Sequence, residues 1–460
     1  MACHHLSVGF KGGLHPLTSV RPNYTAVVSQ VHHAPGKFAY TRFSSAALDC
    51  SAAPRSPNRP RVRMRNGVVR HMDSRTVALI RTTFKAVAAE EGGPEQLARS
   101  FYAILFTEHP HIRDFFPAAL EAQRDRLVKA IGYAVDRLEE PERLLPFLAQ
   151  LGRDHRKYGV VAEHYAAVGH SLKCALRAHT GTEMWTDEVD QAWDAGLALI
   201  AETMIGAAEQ ETTPPVWTGT VVEHREVLCN LAVVRLQLDQ PMAYAAGQYL
   251  SVQIPARPRM WRYLSPAIPS NPQGEIEFHI RSVSGGWVSP AMVSRTVVGD
   301  QWLLGAPMGG LGVPRNTRRK MLMVGCGTGI APLRAQLLAM SRRRSNPKVH
   351  LFVGVHHPCD LYDLPTLSTL AVGNRWLTVT PVTESDDNPW WYYNPDEPPA
   401  DLPAIEPRRT GQIGRIVAES GDWSDCDVQL VGSPSTVQTT KFRLMAAGTP
   451  GDNIRHDPLF

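Results

Sequence analysis

The sequence predicts a multidomain chain of three folds: an all-α bundle, an antiparallel β-barrel and an α/β domain built on a parallel sheet. Three observations carry that prediction. A helical period persists over residues 73–211. Beyond Thr212-Thr213-Pro214-Pro215 it gives way to short strands separated by Gly and Pro turns, and from Lys320 apolar strands alternate with helices. The length of 460 residues accommodates about three domains at roughly 150 residues each. With 43% apolar and 20% charged residues, the chain can bury a core in each of them.

In the first segment, Val77, Ile80, Phe84 and Val87 form one stripe behind Asp73 and Ser74, either of which can cap the helix start. Pro94 opens a second helix through Leu97, Phe101, Ile104 and Leu105, because proline in the first turn sacrifices no intrahelical bond. A third helix runs through Leu120, Leu127, Ile131 and Leu138. A fourth, over 144–158, stops at Gly159, and two longer helices centre on 168–176 and 189–204. Barrel strands are expected at 219–223, 231–238, 248–254 and 276–282, with many turns between them. Apolar runs at 321–325, 349–354, 377–382 and 428–432 read as strands buried on both faces, which marks a parallel sheet.

Charge and composition exclude several classes of function. The formal charge of +4 is unevenly spread, since residues 1–71 hold ten Lys or Arg and one acid, Asp49. The rest of the chain therefore carries 38 basic and 43 acidic groups, which is not the balance of a nucleic-acid binder. The nearest approach to a membrane span, 196–208, falls short of the ~18 apolar residues required and is broken by Glu202. Cys3, Cys50, Cys174, Cys229, Cys326, Cys359 and Cys426 contain no CxxC pair, which argues against zinc or disulfide frameworks and for a cytoplasmic location. Residues 1–71 lack sustained periodicity and end in an Arg-rich run. They read as a disordered leader, either a transit peptide or a gene start extended upstream of Met72. The sequence is silent on oligomeric state.

Chemistry concentrates in two regions. In the third domain, Gly325, Gly327 and Gly329 form a strand–turn–helix that lets backbone approach a phosphate. The N–H groups of a helix beginning near Pro332 would point at it. The third glycine is one place early for the dinucleotide fingerprint, so this loop by itself also fits an ordinary tight turn. In the helical domain, His155 continues the stripe of Leu148 and Leu151 and sits one turn before Gly159. Gln123 shares a face with Leu127 and Ile131, and Tyr102 adjoins Phe101. A single histidine so placed is commonly a hydrogen-bonded core residue. Three polar groups facing one interior, however, need partners, which a polar ligand in the core would supply.

Motif order extends this reading. Gly247-Gln248-Tyr249, Arg262-Tyr263-Leu264-Ser265-Pro266, Gly285-Gly286-Trp287-Val288-Ser289 and the loop Gly325 to Pro332 follow one another. Gly354, Asp360-Leu361-Tyr362-Asp363 and Gly432-Ser433-Pro434 come after. Over residues 216–460 the chain resembles the ferredoxin-reductase-type FAD/NAD(P) module, with the β-barrel over 216–315 and the nucleotide domain over 318–460. The resemblance implies that Gln248, Tyr249, Arg262, Tyr263, Leu264 and Ser265 meet the flavin and its phosphates. It implies further that Gly286, Val288 and Ser289 hold the pyrophosphate, and that Gly325, Gly327, Thr328, Gly329, Pro332, Gly432 and Pro434 receive NADH or NADPH.

Residues 73–211 resemble the globin domain of flavohaemoglobins, through Phe101-Tyr102, Pro110, Phe115-Phe116-Pro117, Asp154-His155, Glu163-His164-Tyr165 and Val168-Gly169. The resemblance implies haem b, with His155 as proximal iron ligand, Phe116 packed on the porphyrin, Tyr102 and Gln123 as distal donors to oxygen, and Tyr165 polarising the proximal side. His109, His111, His164 and His170 are rival ligands that end no comparable apolar stripe. Several positions depart from the family. Leu264 stands where a flavin-contacting Tyr belongs, and Tyr263, one place off, points to the opposite strand face. Val431 replaces a Cys, and His356 replaces the Arg of NADPH-dependent relatives, which favours NADH. Ala208 holds the position of a proximal Glu, with Glu209 rotated by ~100°. Phe460 is left for the terminal aromatic over the flavin. Trp390-Trp391-Tyr392-Tyr393 reads as a loop packed by its own rings.

The order of the three domains joins a two-electron donor to a one-electron acceptor. The resemblance therefore implies nitric oxide dioxygenase activity, with dioxygen and nitric oxide as substrates. The departures leave two alternatives. One is a flavohaem dehydrogenase that takes electrons from a small donor such as a hydroxy acid. The other is an oxygen- or redox-sensing globin.

Overall fold

The computed structural model describes residues 72–460 except 315–316, 391, 393–401, 458–460 and the side chain of 122. The leader over 1–71, Trp391 and Tyr393 of the aromatic loop, and Phe460 lie outside the described residues.

Six helices form the first domain: α1 (Ser74–Ala89), α2 (Gly93–Glu108), α3 (Glu121–Asp136), α4 (Pro141–His155), α5 (Ala162–Met184) and α6 (Asp187–Gln210). Asp73 caps α1, its Oδ1 accepting the Thr76 N–H at 2.9 Å, and Pro94 lies in the first turn of α2. A 3-10 turn, Arg156–Tyr158, continues α4 and ends at Gly159, whose φ of +70° is the left-handed conformation that glycine adopts without strain. Phe101, Leu105, Leu144, Leu148, Leu176 and Trp193 fill the core, each such side chain contributing ~1.5–3 kcal/mol on leaving water. Helices α4 and α6 touch through backbone. A Cβ on Gly152 would lie 2.2 Å from the Met204 carbonyl oxygen, so a larger residue would force the helices apart.

The second domain consists of β1 (Trp217–Leu228), β2 (Leu231–Leu238), β3 (Leu250–Gln253), β4 (Arg262–Leu264), β5 (Glu275–Arg281) and β6 (Gln301–Leu304) in the order β4-β3-β6-β1-β2-β5, all antiparallel. The two outer strands meet through a bridge between Pro266 and Phe278, where the Ala267 N–H donates to the Glu277 carbonyl at 2.8 Å. That contact closes the sheet into a barrel around Trp302, Phe278, Leu236 and Leu250, with α7 (Ser289–Ser294) against it. Strands β4 and β6 are only three and four residues long, too short for an alternation signal.

The third domain comprises β7 (Met321–Cys326), α8 (Ile330–Ser341), β8 (Val349–Val355), α9 (Leu364–Gly373), β9 (Leu377–Thr383), β10 (Arg409–Thr410), α10 (Ile413–Glu419), β11 (Asp427–Val431), α11 (Pro434–Ala446) and β12 (Ile454–Arg455). Its sheet is parallel, in the order β10-β9-β8-β7-β11-β12. Helix α8 begins at Ile330 rather than at Pro332, which instead sits in its first turn. Among the described residues no helix is long and apolar enough to cross a membrane.

Candidate functional site

The helical domain presents the first part of the site. Tyr102 on α2 is 3% exposed, and its ring lies edge-on to Phe116 at 5.4 Å and near Phe106 at 5.5 Å. Burial pushes its phenol well above the usual value, against a hydrogen bond with the Gln123 side chain and the charge of Arg124. Leu127 and Ile131 on α3, Leu151 on α4 and Phe116 all pack on the bundle core yet stay partly exposed. The Nε of Arg124 is buried without a hydrogen-bond partner. Half-covered apolar side chains beside an orphaned guanidinium nitrogen fit a flat apolar macrocycle with anionic substituents, as haem is.

His155 ends α4, with its Nδ1 2.7 Å from the Leu151 carbonyl. A carbonyl only accepts, so Nδ1 carries the proton and Nε2 keeps its lone pair, the tautomer that a metal-ligating imidazole requires. Burial lowers its pKa and keeps the ring neutral, although the Asp154 carboxylate acts the other way. The rival histidines are elsewhere. His109, His111, His164 and His170 line a separate cavity of about 540 Å³ with Glu108 and Glu163. His164 Nδ1 is occupied in capping α5, accepting the Val161 N–H at 3.1 Å. Among the described residues no three His, Cys, Asp or Glu side chains are grouped to hold a metal ion. The bundle thus offers one neutral imidazole at the end of α4, rather than an all-protein cage. Tyr165 on α5 is part-buried, and burial raises its phenol to about 12. The proximal Nδ1 is committed to Leu151, Ala208 is part-buried and Glu209 is exposed.

On the barrel, β4 alternates as its sequence predicts. Tyr263 projects outward with its ring 5.2 Å from Tyr249, while Leu264 packs on the barrel core. Arg262 is pushed down in pKa by burial and by the charge of Arg126 on α3, and it joins no ion pair among the described residues. A half-buried cation facing another cation suits an anionic group such as a pyrophosphate. Ser265 follows β4, part-buried. Gln248 braces the loop at 309, donating to the Gly309 carbonyl at 3.3 Å and accepting the Ala245 N–H at 2.8 Å. Gly286 turns tightly, since a Cβ there would lie 2.9 Å from the Val283 carbonyl oxygen. Val288 is fully buried, and the Ser289 hydroxyl accepts the Val283 N–H at 3.1 Å.

In the third domain, the chain steps from β7 outward through β8, β9 and β10 and then returns to β11 on the other side. The carboxyl ends of β7 and β11 thus flank a topological switch point, where open α/β sheets bind their ligands. Gly325 and the turn Gly327-Thr328-Gly329 leave one strand there, with Pro332 just beyond, and Gly432-Ser433-Pro434 leave the other. The glycines divide the work. A Cβ on Gly329 would lie 2.8 Å from the Val431 carbonyl oxygen, and one on Gly432 would lie 2.9 Å from Cys326 Cβ, so both let the two loops pack together. Gly327 has φ +58° and open space beyond it, the arrangement a docking phosphate needs. Burial raises the neighbouring Cys326 thiol to about 12, which keeps it protonated. At the end of β8, His356 Nδ1 lies 2.7 Å from the Glu384 carboxylate.

Two sets of residues escaped sequence reasoning. One is Lys157 with Asp154 and Ser251, where the helical domain meets the barrel. Only the i, i+3 spacing of Asp154 and Lys157 hinted at a pair. The other joins barrel to nucleotide domain around Glu277, which is 3% exposed. Arg334 of α8 donates to Glu277 Oε1 and to the Ala267 carbonyl, each at 2.8 Å, and Arg235 donates to Glu277 Oε2 at 2.9 Å. His279 lies 3.2 Å from Glu277 and 2.9 Å from the Tyr362 hydroxyl. Burial would raise the Glu277 carboxyl, but hydrogen bonds from His279 and Arg235 and the charge of Arg334 outweigh it and hold the group at about 2, against 4.5 when unfolded. This stabilisation, on the order of 3 kcal/mol, is fully present above pH 4.5 and is lost as pH falls towards 2. Urea midpoints of Glu277→Gln are therefore expected well below wild type at pH 7, with the gap narrowing steadily on titration to pH 3. A gap independent of pH would contradict the assignment.

Known proteins share this architecture. The globin family matches residues 99–204, the oxidoreductase FAD-binding domain residues 218–312 and the oxidoreductase NAD-binding domain residues 323–395. The flavohemoprotein of Bacillus subtilis is 25% identical over 283 residues, covering 58% of this chain and 69% of its own length. That of Pseudomonas aeruginosa is 27% identical over 276 residues, covering 56% and 69%. A reductase component of naphthalene 1,2-dioxygenase/salicylate 5-hydroxylase systems from Ralstonia sp is 30% identical over 248 residues, covering 53% and 68%. A solved flavohemoglobin of Malassezia yamatoensis, with bound FAD and heme, superposes with a TM-score of 0.68 at 16% identity over 84% of this chain and 98% of its own. The chain thus joins a globin domain to the FAD-binding and NAD-binding domains of an oxidoreductase, in the order and with the haem, FAD and NAD cofactors of the flavohaemoproteins it resembles.

Proposed function

We propose that the protein carries electrons from NADH through FAD to haem and uses them to oxidise nitric oxide to nitrate with dioxygen. The observation that carries this reading is buried Tyr102 beside the part-buried Gln123, in the same bundle that presents a neutral His155 with Nε2 free. When bound, the three groups supply a hydride, its division into single electrons and a redox-active iron. The chain's own residues do the rest. His155 would hold the iron through Nε2, fixed in orientation by Leu151. Phe116 and the half-covered apolar residues of α3 and α4 would shield the bound group from water, and Tyr102 and Gln123 would offer hydrogen bonds to a small polar ligand. Arg262 neutralises the flavin phosphates, and the Gly327 turn cradles those of the nucleotide. Glu384, just beyond β9 and beside His356 at the end of β8, would repel a 2′-phosphate and supports NADH over NADPH.

The reduced protein in aerated buffer, mixed with nitric oxide, should form nitrate rapidly and consume NADH in step. Slow nitrate formation, or nitrate without NADH oxidation, defeats the proposal. A second reading, in which a small hydroxy acid reduces the flavin, draws on the inward packing of Leu264. Anaerobic flavin bleaching by lactate but not by NADH would favour it.

A further inference from the structure

The carboxyl end of α4 is tied to the barrel by a buried charge. Lys157 and Asp154 side chains are 1% and 7% exposed, and the ammonium nitrogen lies 2.6 and 2.8 Å from the two Asp154 oxygens. Its third donor reaches the Ser251 hydroxyl on β3 at 2.8 Å, so the ammonium group uses every N–H it has. The barrel is shaped around it. A Cβ on Gly305 would lie 3.1 Å from Lys157 Cδ and 2.3 Å from Ser251 Oγ. Aromatic rings enclose the charge, with Tyr158 at 4.9 Å, Trp261 at 5.1 Å and Tyr263 at 6.0 Å. The Tyr158 ring also stands between the two cofactor regions, 5.8 Å from the His155 imidazole and 6.1 Å from Trp261, the residue before the flavin strand β4.

A buried ion pair adds little net stability compared with apolar packing, but it specifies geometry strongly, because any displacement leaves a charge unpaired in a medium that cannot solvate it. Here Asp154 satisfies only part of the ammonium, and the barrel must supply the remainder. We propose that Lys157, with Asp154 and Ser251, is a positioning device that holds the His155-bearing end of α4 against β3, the strand paired with the flavin strand β4, and so sets the separation electrons cross. This rests on the flavin-to-haem transfer proposed above. Lys157 and Ser251 act through placement and touch no reacting atom.

The test uses the intact holoprotein and the variants Lys157→Met, which keeps the stem but loses the charge, and Ser251→Ala, which leaves the Asp154–Lys157 pair intact. Hydrogen–deuterium exchange over 141–160 and 248–265 should speed in both. In anaerobic stopped flow under carbon monoxide, flavin reduction by NADH should stay at the wild-type rate. Haem reduction should slow about tenfold or more in Lys157→Met and less in Ser251→Ala, since small misplacements cost large factors in rate. Should Lys157→Met fail to fold, Ser251→Ala decides alone. Wild-type exchange and wild-type haem reduction in a folded variant would overturn the proposal. If wild-type protein reduces its flavin but never its haem, the transfer reading falls instead, and the exchange data still decide whether the seam depends on Lys157.

Discussion

Replacing His155 with alanine is expected to strip haem from the protein while leaving flavin in place. The bundle would then offer a porphyrin only half-covered apolar side chains, with no nitrogen for the iron. No second imidazole substitutes, because His109, His111, His164 and His170 line a different cavity and His164 is held in a cap. Soret absorbance per polypeptide should fall more than about tenfold, while the flavin band near the barrel's Arg262 and Tyr263 is unchanged. Added imidazole should restore part of the Soret intensity. A His155→Ala protein that purifies with full haem would show that another residue ligates the iron.

The second large effect is expected of Gly327→Val. Two penalties coincide at that position: a β-branched residue at φ +58° carries backbone strain of about 1–3 kcal/mol, and its side chain fills the open space a phosphate would enter. The dependence of flavin bleaching on NADH concentration should shift by at least about a hundredfold, or bleaching should cease. Dithionite should still reduce flavin and haem at wild-type rates, since it delivers electrons without a bound nucleotide. Unaltered NADH kinetics would move the nucleotide away from the β7 turn. Gly329→Val would be a poorer test, because that glycine contacts the Val431 carbonyl and its loss would disturb the fold itself.

The architecture was legible wherever periodicity and burial agree. The helices of the bundle, the continuously apolar strands β7, β8, β9 and β11, and the order of the glycine motifs all lie where the pattern places them. Elsewhere the pattern carries less. Ile276, Phe278 and Ile280 alternate with Glu277 and His279, the signature of a strand with one wet face. Both polar residues are nevertheless buried, because α8 and the segment holding Tyr362 cover that face. A strand cannot announce from its own sequence which partner will lie across it. Lys157 and Ser251 illustrate the same limit. Each is ordinary in its local context, and their contact joins positions 94 residues apart. The tautomer of His155 was equally hidden, since it depends on a carbonyl one turn earlier rather than on any neighbour's identity.

The backbone contact at Gly152 has a consequence for how such a protein can vary. At Gly152, α4 meets the main chain of α6, so this contact does not depend on which side chain α6 displays a turn further on, at Ala208. If His155 ligates iron as proposed, a lineage could vary position 208 while the main-chain seat of α4 stays as it is.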